Sequence, residues 1–169
     1  GSSFKPFVYT LAFEKGYTPD TVLYDVSTNF DRRVGGDYTP KNYDNKEHGL
    51  VTMRRALQGS LNIPAVKTLY LAGTAETIEF AKKFGYTTLT GDYGLSLVLG
   101  GAEVNLLEHT NAYATLANQG IYNEPVSILK VTNNIGENFY EWKPAEGVEG
   151  REVIKPELAA TISNVLSDD

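Results

Sequence analysis

Gly1-Ser2-Ser3-Phe4-Lys5-Pro6-Phe7-Val8-Tyr9-Thr10-Leu11-Ala12-Phe13-Glu14-Lys15-Gly16 opens the chain and decides how the rest is read. Phe4, Phe7, Val8, Leu11 and Ala12 recur at spacings of three and four, which puts them on one helical face. Pro6 fits the first turn, where its missing N–H has no partner to lose, and Gly16 supplies the stop. Residues 3–15 are therefore expected to form a mostly buried helix capped by Ser2 or Ser3. Ser2 then stands at a helix N-terminus, where unpaired N–H groups and the positive dipole end favour a developing anion. Lys5 lies three residues on, with its Cβ about 5–6 Å away on the same face. Two readings fit. One is a nucleophilic hydroxyl beside an amine that takes its proton once burial or another cation lowers the amine pKa; the other is a capping serine and a solvated lysine. Ser127-Ile128-Leu129-Lys130 repeats the pattern in a predicted strand, where no helix terminus would activate it.

Outward from this helix the signal changes twice. Residues 17–50 carry Pro19, Gly35, Gly36, Pro40 and Gly49 with little periodicity, and read as extended segments and long loops with a short strand at Val22–Tyr24. Loops of this length in a compact domain usually serve a function or lie over a cleft. Helical pattern then dominates. Thr52 caps a helix to about Leu57, and Pro64 starts another to Leu71 that Gly73 ends. Thr74 caps a third, Ala75–Phe84, and after a Gly-rich stretch at 91–101 comes Leu106–Asn118. Val126–Thr132 and Asn138–Trp142 flank Asn133–Glu137 as a hairpin. Residues 156–167 form a last helix opening on Pro156. The fold class is α+β, rich in helix, with one small β element.

Composition closes off other classes. The chain has 169 residues, long enough to bury about 70% of its unfolded surface without a staple. A hydrophobic fraction of 41% excludes a disordered chain. Fifteen basic against 21 acidic residues leave a net charge of −6, which argues against a nucleic-acid or anionic-membrane surface. With no cysteine, disulfides, thiolate nucleophiles and Cys-type zinc sites are ruled out, while the compartment stays open. No apolar run reaches the 18 or so residues of a membrane span, and the N-terminus is no signal peptide. His48 sits in the charged run Asp44–His48 and reads as solvated loop. His109 follows Glu108 in a helix and reads as a satisfied, semi-buried imidazole. Neither has ligand-spaced neighbours, so no metal is expected. The runs Asp31–Arg33 and Lys41–Glu47 read as solvated rim.

Ser60-Leu61-Asn62, between two predicted helices, is the second candidate. A hydroxyl and a carboxamide two residues apart on a tight turn can face one cleft, the first relaying a proton and the second holding an amide. Ser60 as a cap of the following helix fits equally well. Ser27-Thr28-Asn29 matches the same pattern and reads as a loop turn.

Taken in order, four segments resemble class A, bifunctional penicillin-binding proteins. Gly1–Phe7 and Leu57-Gln58-Gly59-Ser60-Leu61-Asn62-Ile63-Pro64-Ala65-Val66 are similar to the family's first two active-site motifs, with 58 residues from Ser2 to Ser60. Tyr38-Thr39-Pro40-Lys41-Asn42-Tyr43, followed by Gly49–Leu57, resembles the segment before the second motif. Leu97–Val104 and Asn111–Gly120 resemble the next helical region. The resemblance implies a β-lactamase/transpeptidase-like fold of which residues 1–169 are a partial transpeptidase domain, mostly its helical part, lacking part of the sheet. It implies a peptidoglycan D,D-transpeptidase acting through an acyl-enzyme and inhibited by β-lactams. Ser2 would be the nucleophile, Lys5 the base, Ser60 the proton relay to the leaving D-Ala nitrogen, and Asn62 the holder of the stem-peptide amide. No cofactor or metal is implied. The third motif, Lys-Thr/Ser-Gly on a strand edge, is missing; the only Lys-Thr here, Lys67-Thr68, lies in a predicted helix. Losing an oxyanion donor costs about 10²–10³ in rate, so the chain alone is expected to be weakly active or inactive. The implied partners are stem peptides, β-lactams, an upstream glycosyltransferase domain and a downstream Lys-Thr-Gly strand. The implied location is extracytoplasmic, with the membrane anchor outside this segment. A serine β-lactamase and a non-catalytic β-lactam- or peptidoglycan-binding relative are the alternatives. Against the first, Leu61 stands where class A lactamases carry Asp, and no Glu-x-x-Leu-Asn loop follows.

Overall fold

The computed structural model describes residues 1–31, 33, 36–144 and 150–167. Its centre is the opening stretch. A 3₁₀ turn, Ser2–Phe4, runs straight into α1 (Lys5–Glu14), which is buried at every residue from Lys5 to Phe13. A helix apolar all round belongs inside a core rather than on its surface. Neither Ser2 nor Ser3 caps it. The 3₁₀ turn does that work with backbone alone, as Gly1 O accepts from Phe4 N (3.1 Å) and Ser2 O accepts from Lys5 N. Gly16, at φ +100°, turns the chain out of the helix.

Among the described residues five further α-helices follow α1: α2 (Met53–Gln58), α3 (Asn62–Ala72), α4 (Thr74–Lys83), α5 (Leu106–Ala117) and α6 (Pro156–Ser167). α1 packs on α3, α4, α6 and α2, and α6 also meets α5. The seam is made of small and branched residues, with Ala12, Val66, Leu69, Ile162 and Val165 fully buried. Near its N-terminal end α1 meets an aromatic nest. The Phe7 ring lies 5.3–5.9 Å from the rings of Tyr113, Phe84, Tyr86 and Phe4. Thr52 caps α2 as expected, its Oγ1 accepting from Arg55 N. α3 begins two residues before Pro64, which sits in its first turn. Gly73 rather than Thr74 is the N-cap of α4, its carbonyl accepting from both Thr77 N and Thr77 Oγ1.

The strands are few and short. β1 (Val22–Asp25) pairs antiparallel with β2 (Gly49–Thr52), with Asp25 opposite Gly49 and Val22 opposite Thr52. β3 (Ile121–Tyr122) pairs with β6 (Arg151–Glu152), and β4 (Lys130–Thr132) with β5 (Asn138–Glu141). The last pair is the expected hairpin. Asn133 Oδ1 accepts from Ile135 N and Glu137 N to close its loop. Its first strand is shorter than Val126–Thr132: the ladder starts at Lys130, with Leu129 O still accepting from Trp142 N (2.8 Å), and its register shifts at Val131/Thr132. Strands β2, β3 and β6 carry no period-2 pattern long enough to be read from sequence.

The pairing of β1 with β2 fastens the long loop. The described residues between the two strands reach the start of α3, where Lys41 O accepts from Asn62 Nδ2 (2.8 Å) and Asn42 Oδ1 accepts from Asn62 N (2.8 Å). Lys67 Nζ donates to Tyr24 O (2.6 Å), tying α3 to the same ladder.

Candidate active site

α2 and α3 are joined by a turn that determines the site. Ser60 N donates to Leu57 O (3.0 Å) and Leu61 N to Ala56 O (2.9 Å), the paired bonds of a Schellman ending. The residue after the helix cap must then adopt a left-handed conformation, and here it is Ser60, at φ +50°. Glycine is the residue that occupies such a position without a Cβ penalty; a serine there stores about 1–2 kcal/mol. Ser60 therefore terminates α2 and does not cap α3, whose N-cap is Leu61. The unusual backbone turns both Ser60 oxygens toward α1.

Lys5 receives them. Its Nζ lies 2.6 Å from Ser60 O, 3.1 Å from Ser60 Oγ and 2.8 Å from Asn62 Oδ1. Lys5 is wholly buried, not solvated, and no carboxylate is among these contacts. Burial alone pushes its amine down to about 8. Three oxygens around Nζ satisfy an ammonium, which carries three donors. Once one proton is lost, the Ser60 hydroxyl can rotate to donate to the lone pair.

Asn62 is the first residue of α3, and its carboxamide orientation is set by its neighbours. Nδ2 donates to Lys41 O (2.8 Å), an obligate acceptor, which leaves Oδ1 facing Lys5. Its backbone N–H donates to Asn42 Oδ1 (2.8 Å). The structure thus brings Lys5, Ser60 and Asn62 into direct contact. Ser2 stands exposed at the start of the continuous helical run that carries Lys5, and its Oγ makes no hydrogen bond among the described residues. An open groove lined by Tyr43, His48, Arg55 and Leu61 leads up to Ser60.

Two supports of the Ser2–Phe4 turn were hidden in the sequence. Gly100, at φ +90°, packs so closely that a Cβ there would collide with N and Cα of Gly1. It ends a 3₁₀ turn, Leu95–Leu99, that packs against Ser2–Phe4. On the other side Tyr113 OH donates to Ser3 O (2.8 Å), and His109 Nε2 lies 3.0 Å from Ser3 Oγ. His109 Nδ1 is 2.6 Å from Tyr86 OH. Burial raises the Tyr86 hydroxyl pKa and lowers that of His109, so a protonated phenol and a neutral imidazole share one hydrogen bond, and the other ring nitrogen meets Ser3 Oγ. His109 is semi-buried and satisfied, as expected, but its partner is the residue next to Ser2. No spacing rule links positions 3 and 109.

The other candidates are structural. Ser27-Thr28-Asn29 organises the long loop, Asn29 Oδ1 accepting from Asp31 N and Tyr38 N. Lys130 is exposed on β4, far in the chain from any helix start. Thr68 is buried within α3 and donates to Pro64 O, so Lys67-Thr68 is no strand-edge motif. His48 is not simply solvated: its Nδ1 lies 2.5 Å from buried Asp25 Oδ2 and its Nε2 3.1 Å from Asp44 Oδ2. Asp31 pairs with Arg33 at the surface as a rim run should; Arg32 lies outside the described residues. Among the described residues no cluster of His, Asp and Glu has the geometry of a metal site.

The strain at Ser60 makes a two-sided prediction. Ser60→Gly removes the Cβ penalty, worth about 1 kcal/mol, and with it the hydroxyl 3.1 Å from Lys5. Thermal melts are expected to hold or rise for Ser60→Gly and to fall short of it for Ser60→Ala, which keeps the Cβ. A melting temperature lowered by both would mean that the serine hydroxyl is there for the fold.

Comparison with known proteins supplies a context for this geometry. Residues 1–169 match the penicillin binding protein transpeptidase domain. The chain is 41% identical over 165 residues to penicillin-binding protein 1A of Aquifex aeolicus, covering 96% of this chain and 22% of that one. It is 33% identical over 145 residues to penicillin-binding protein 1A of Escherichia coli, covering 85% and 17%. The crystal structure of penicillin-binding protein 1A from Haemophilus influenzae superposes with a TM-score of 0.89 at 30% identity, over 98% of this chain and 29% of that one. Penicillin-binding protein A of Mycobacterium tuberculosis, solved as an imipenem acyl-enzyme complex, shares the fold at a TM-score of 0.82 and 21% identity, over 98% and 42%. The chain thus spans about a fifth of the curated relatives' length.

Proposed function

We propose that this chain, which belongs to the penicillin-binding-protein transpeptidase family, contributes the nucleophile, base and proton relay of a peptidoglycan D,D-transpeptidase. The observation that carries the reading is the wholly buried Lys5 amine held on Ser60 and Asn62, three residues beyond an exposed Ser2.

Ser2 Oγ attacks the carbonyl carbon of a D-Ala–D-Ala bond as neutral Lys5 takes its proton. The proton passes through Ser60 Oγ to the leaving nitrogen, the C–N bond breaks, and terminal D-Ala departs. Asn62, fixed by Lys41, holds the stem-peptide amide. An amine of a second stem peptide, or water, then attacks the ester and frees Ser2. A β-lactam enters by the same attack, its ring opening in place of D-Ala departure, and leaves a long-lived ester. A Lys-Thr-Gly strand contributed from elsewhere in the polypeptide would complete the oxyanion site; without it residues 1–169 act weakly or not at all. No helix among the described residues is long and apolar enough to cross a membrane. The extracytoplasmic location and an anchor outside this segment follow from the family resemblance.

Fluorescent penicillin resolved on a denaturing gel tests this. The full-length polypeptide containing residues 1–169 is expected to take a stable label that Ser2→Ala abolishes. Rapid loss of the label would indicate a serine β-lactamase, and an unlabelled polypeptide that still binds β-lactam a non-catalytic relative.

A further inference from the structure

Behind the site lies a buried polar chain that the mechanism above does not use. α3 lacks a local side-chain cap, since its N-cap is Leu61. The helix start is satisfied instead from 20 residues upstream, where Asn42 Oδ1 accepts from Asn62 N (2.8 Å) and Ile63 N (3.3 Å). A helix end left without such a partner loses a typical cap contribution of about 1 kcal/mol. A cap of this kind normally comes from the adjoining residue. Bringing it across 20 residues that include β2 and α2 ties Asn42 to the residue whose side chain touches Lys5.

The orientation of Asn42 is itself enforced. Its Nδ2 donates to Asp25 Oδ1 (2.9 Å), Asp25 Oδ2 (2.8 Å) and Lys46 O (2.8 Å), all acceptors only. The amide therefore cannot flip without setting its carbonyl against a carboxylate. Asp25 is fully buried at the end of β1, and its Oδ2 also accepts from His48 N (3.0 Å) and meets His48 Nδ1 at 2.5 Å. His48 is braced in turn by Asp44. Lys67 and Tyr9 also lie within reach of the Asp25 charge. A buried carboxylate with this many donors is held rigidly, whereas a half-satisfied one would be costly.

We propose that Asn42, clamped by Asp25 and His48, is the positioning residue that sets Asn62 and through it holds Lys5 against Ser60 for acylation. The inference rests on the acyl-enzyme reading above and adds a third layer to the same site. Asn42 touches no reacting atom; it acts by fixing the N-terminal turn of α3. The loop 26–48 is thereby part of the catalytic apparatus rather than a cover, and the Tyr38–Tyr43 segment has a mechanical reason to be where it is.

Asn42→Ala and Asp25→Asn test the proposal by two readouts, both taken well below the melting temperature. In the full-length polypeptide, Asn42→Ala should lower the second-order rate of β-lactam acylation about 10–100-fold, the size expected when a reacting group is misplaced by about 1 Å. Asp25→Asn should lower it less, because one amide–amide bond to Asn42 survives. In residues 1–169, the Lys5 midpoint followed by ¹³Cε NMR should move up from about 8 toward the ordinary lysine value of 10.5 as water reaches the loosened amine. The NMR readout does not depend on acylation, so a wild-type protein that fails to acylate overturns the enzymatic reading and leaves this test standing. If Asn42→Ala does not fold, Asp25→Asn decides. Variants that melt lower but keep the wild-type acylation rate and Lys5 midpoint would overturn the proposal, leaving Asn42 a purely structural cap.

Discussion

Replacing Lys5 by Met should lower the rate of β-lactam acylation about 10²–10⁴-fold, the range over which a positioned general base contributes. The argument is geometric first. Nζ sits within hydrogen-bond reach of Ser60 Oγ, and Ser2 is three residues before it on the same helical run. It is electrostatic second. An exposed lysine with a midpoint near 10.5 is almost wholly charged at pH 7 and cannot accept a proton. Burial brings Lys5 to about 8, so a usable fraction of neutral amine exists at physiological pH. The base is active when deprotonated, so wild-type acylation should rise with pH through about 8 and level off above it. Lys5→Arg sharpens the test: it keeps a positive charge but does not deprotonate in this range, so it should be as poor as Lys5→Met. An arginine variant retaining most of the rate would show that the site needs a cation and not a base. Stability should change less than rate. Methionine spares the cost of a buried charge but strands Ser60 O and Asn62 Oδ1, about 1–3 kcal/mol for each unsatisfied group.

Phe7→Ala should cost about 3–5 kcal/mol of folding stability, read as the shift of a urea unfolding midpoint at constant slope. Phe7 is fully buried, and four aromatic rings surround it within 6 Å. Few neighbours can move into the vacated volume. Phe4 and Tyr86 also touch each other, while Tyr113 and Tyr86 are held by Ser3 and by His109. The cavity would therefore stay open, and the cost should lie toward the upper end. Phe7→Leu, which keeps most of the volume, should lose considerably less. A loss below about 1 kcal/mol for the alanine variant would mean that the aromatic nest collapses freely and is not the anchor of α1. The nest also backs the Ser2–Phe4 turn, so this variant couples stability to the site in a way that a distant core substitution, such as Ile162→Val, should not.

How much of this was readable from sequence depended on range. Phe4, Phe7, Val8 and Leu11 announce a buried helix because a 3.6-residue period survives in the eight residues they span. Thr52, Gly73 and Pro156 marked boundaries within one or two residues because capping is local chemistry. The family resemblance in residues 57–66 pointed to Ser60 and Asn62, but nothing there revealed that Ser60 is the left-handed end of α2. A Ser-Leu-Asn run looks alike whether it caps the next helix or closes the last one. Strand β2 was missed for a similar reason: Gly49-Leu50-Val51-Thr52 is too short to alternate and exists because β1 pairs with it. Asn42 and His109 could not be found by spacing at all. Each reaches the site through three-dimensional proximity, across 20 residues to Asn62 and across 106 to Ser3. The charged sequence neighbours of His48 point to a solvated loop, whereas its decisive partner, Asp25, lies across the β1–β2 ladder.

Peptide mapping by mass spectrometry after brief exposure of the full-length polypeptide to a β-lactam bears most directly on this account. One adduct per molecule is predicted, located by fragmentation to Ser2 within the tryptic peptide that ends at Lys15, since Lys5 precedes a proline and is not cleaved. An adduct on Ser3 or Ser60, or no covalent adduct in a folded protein, would contradict it.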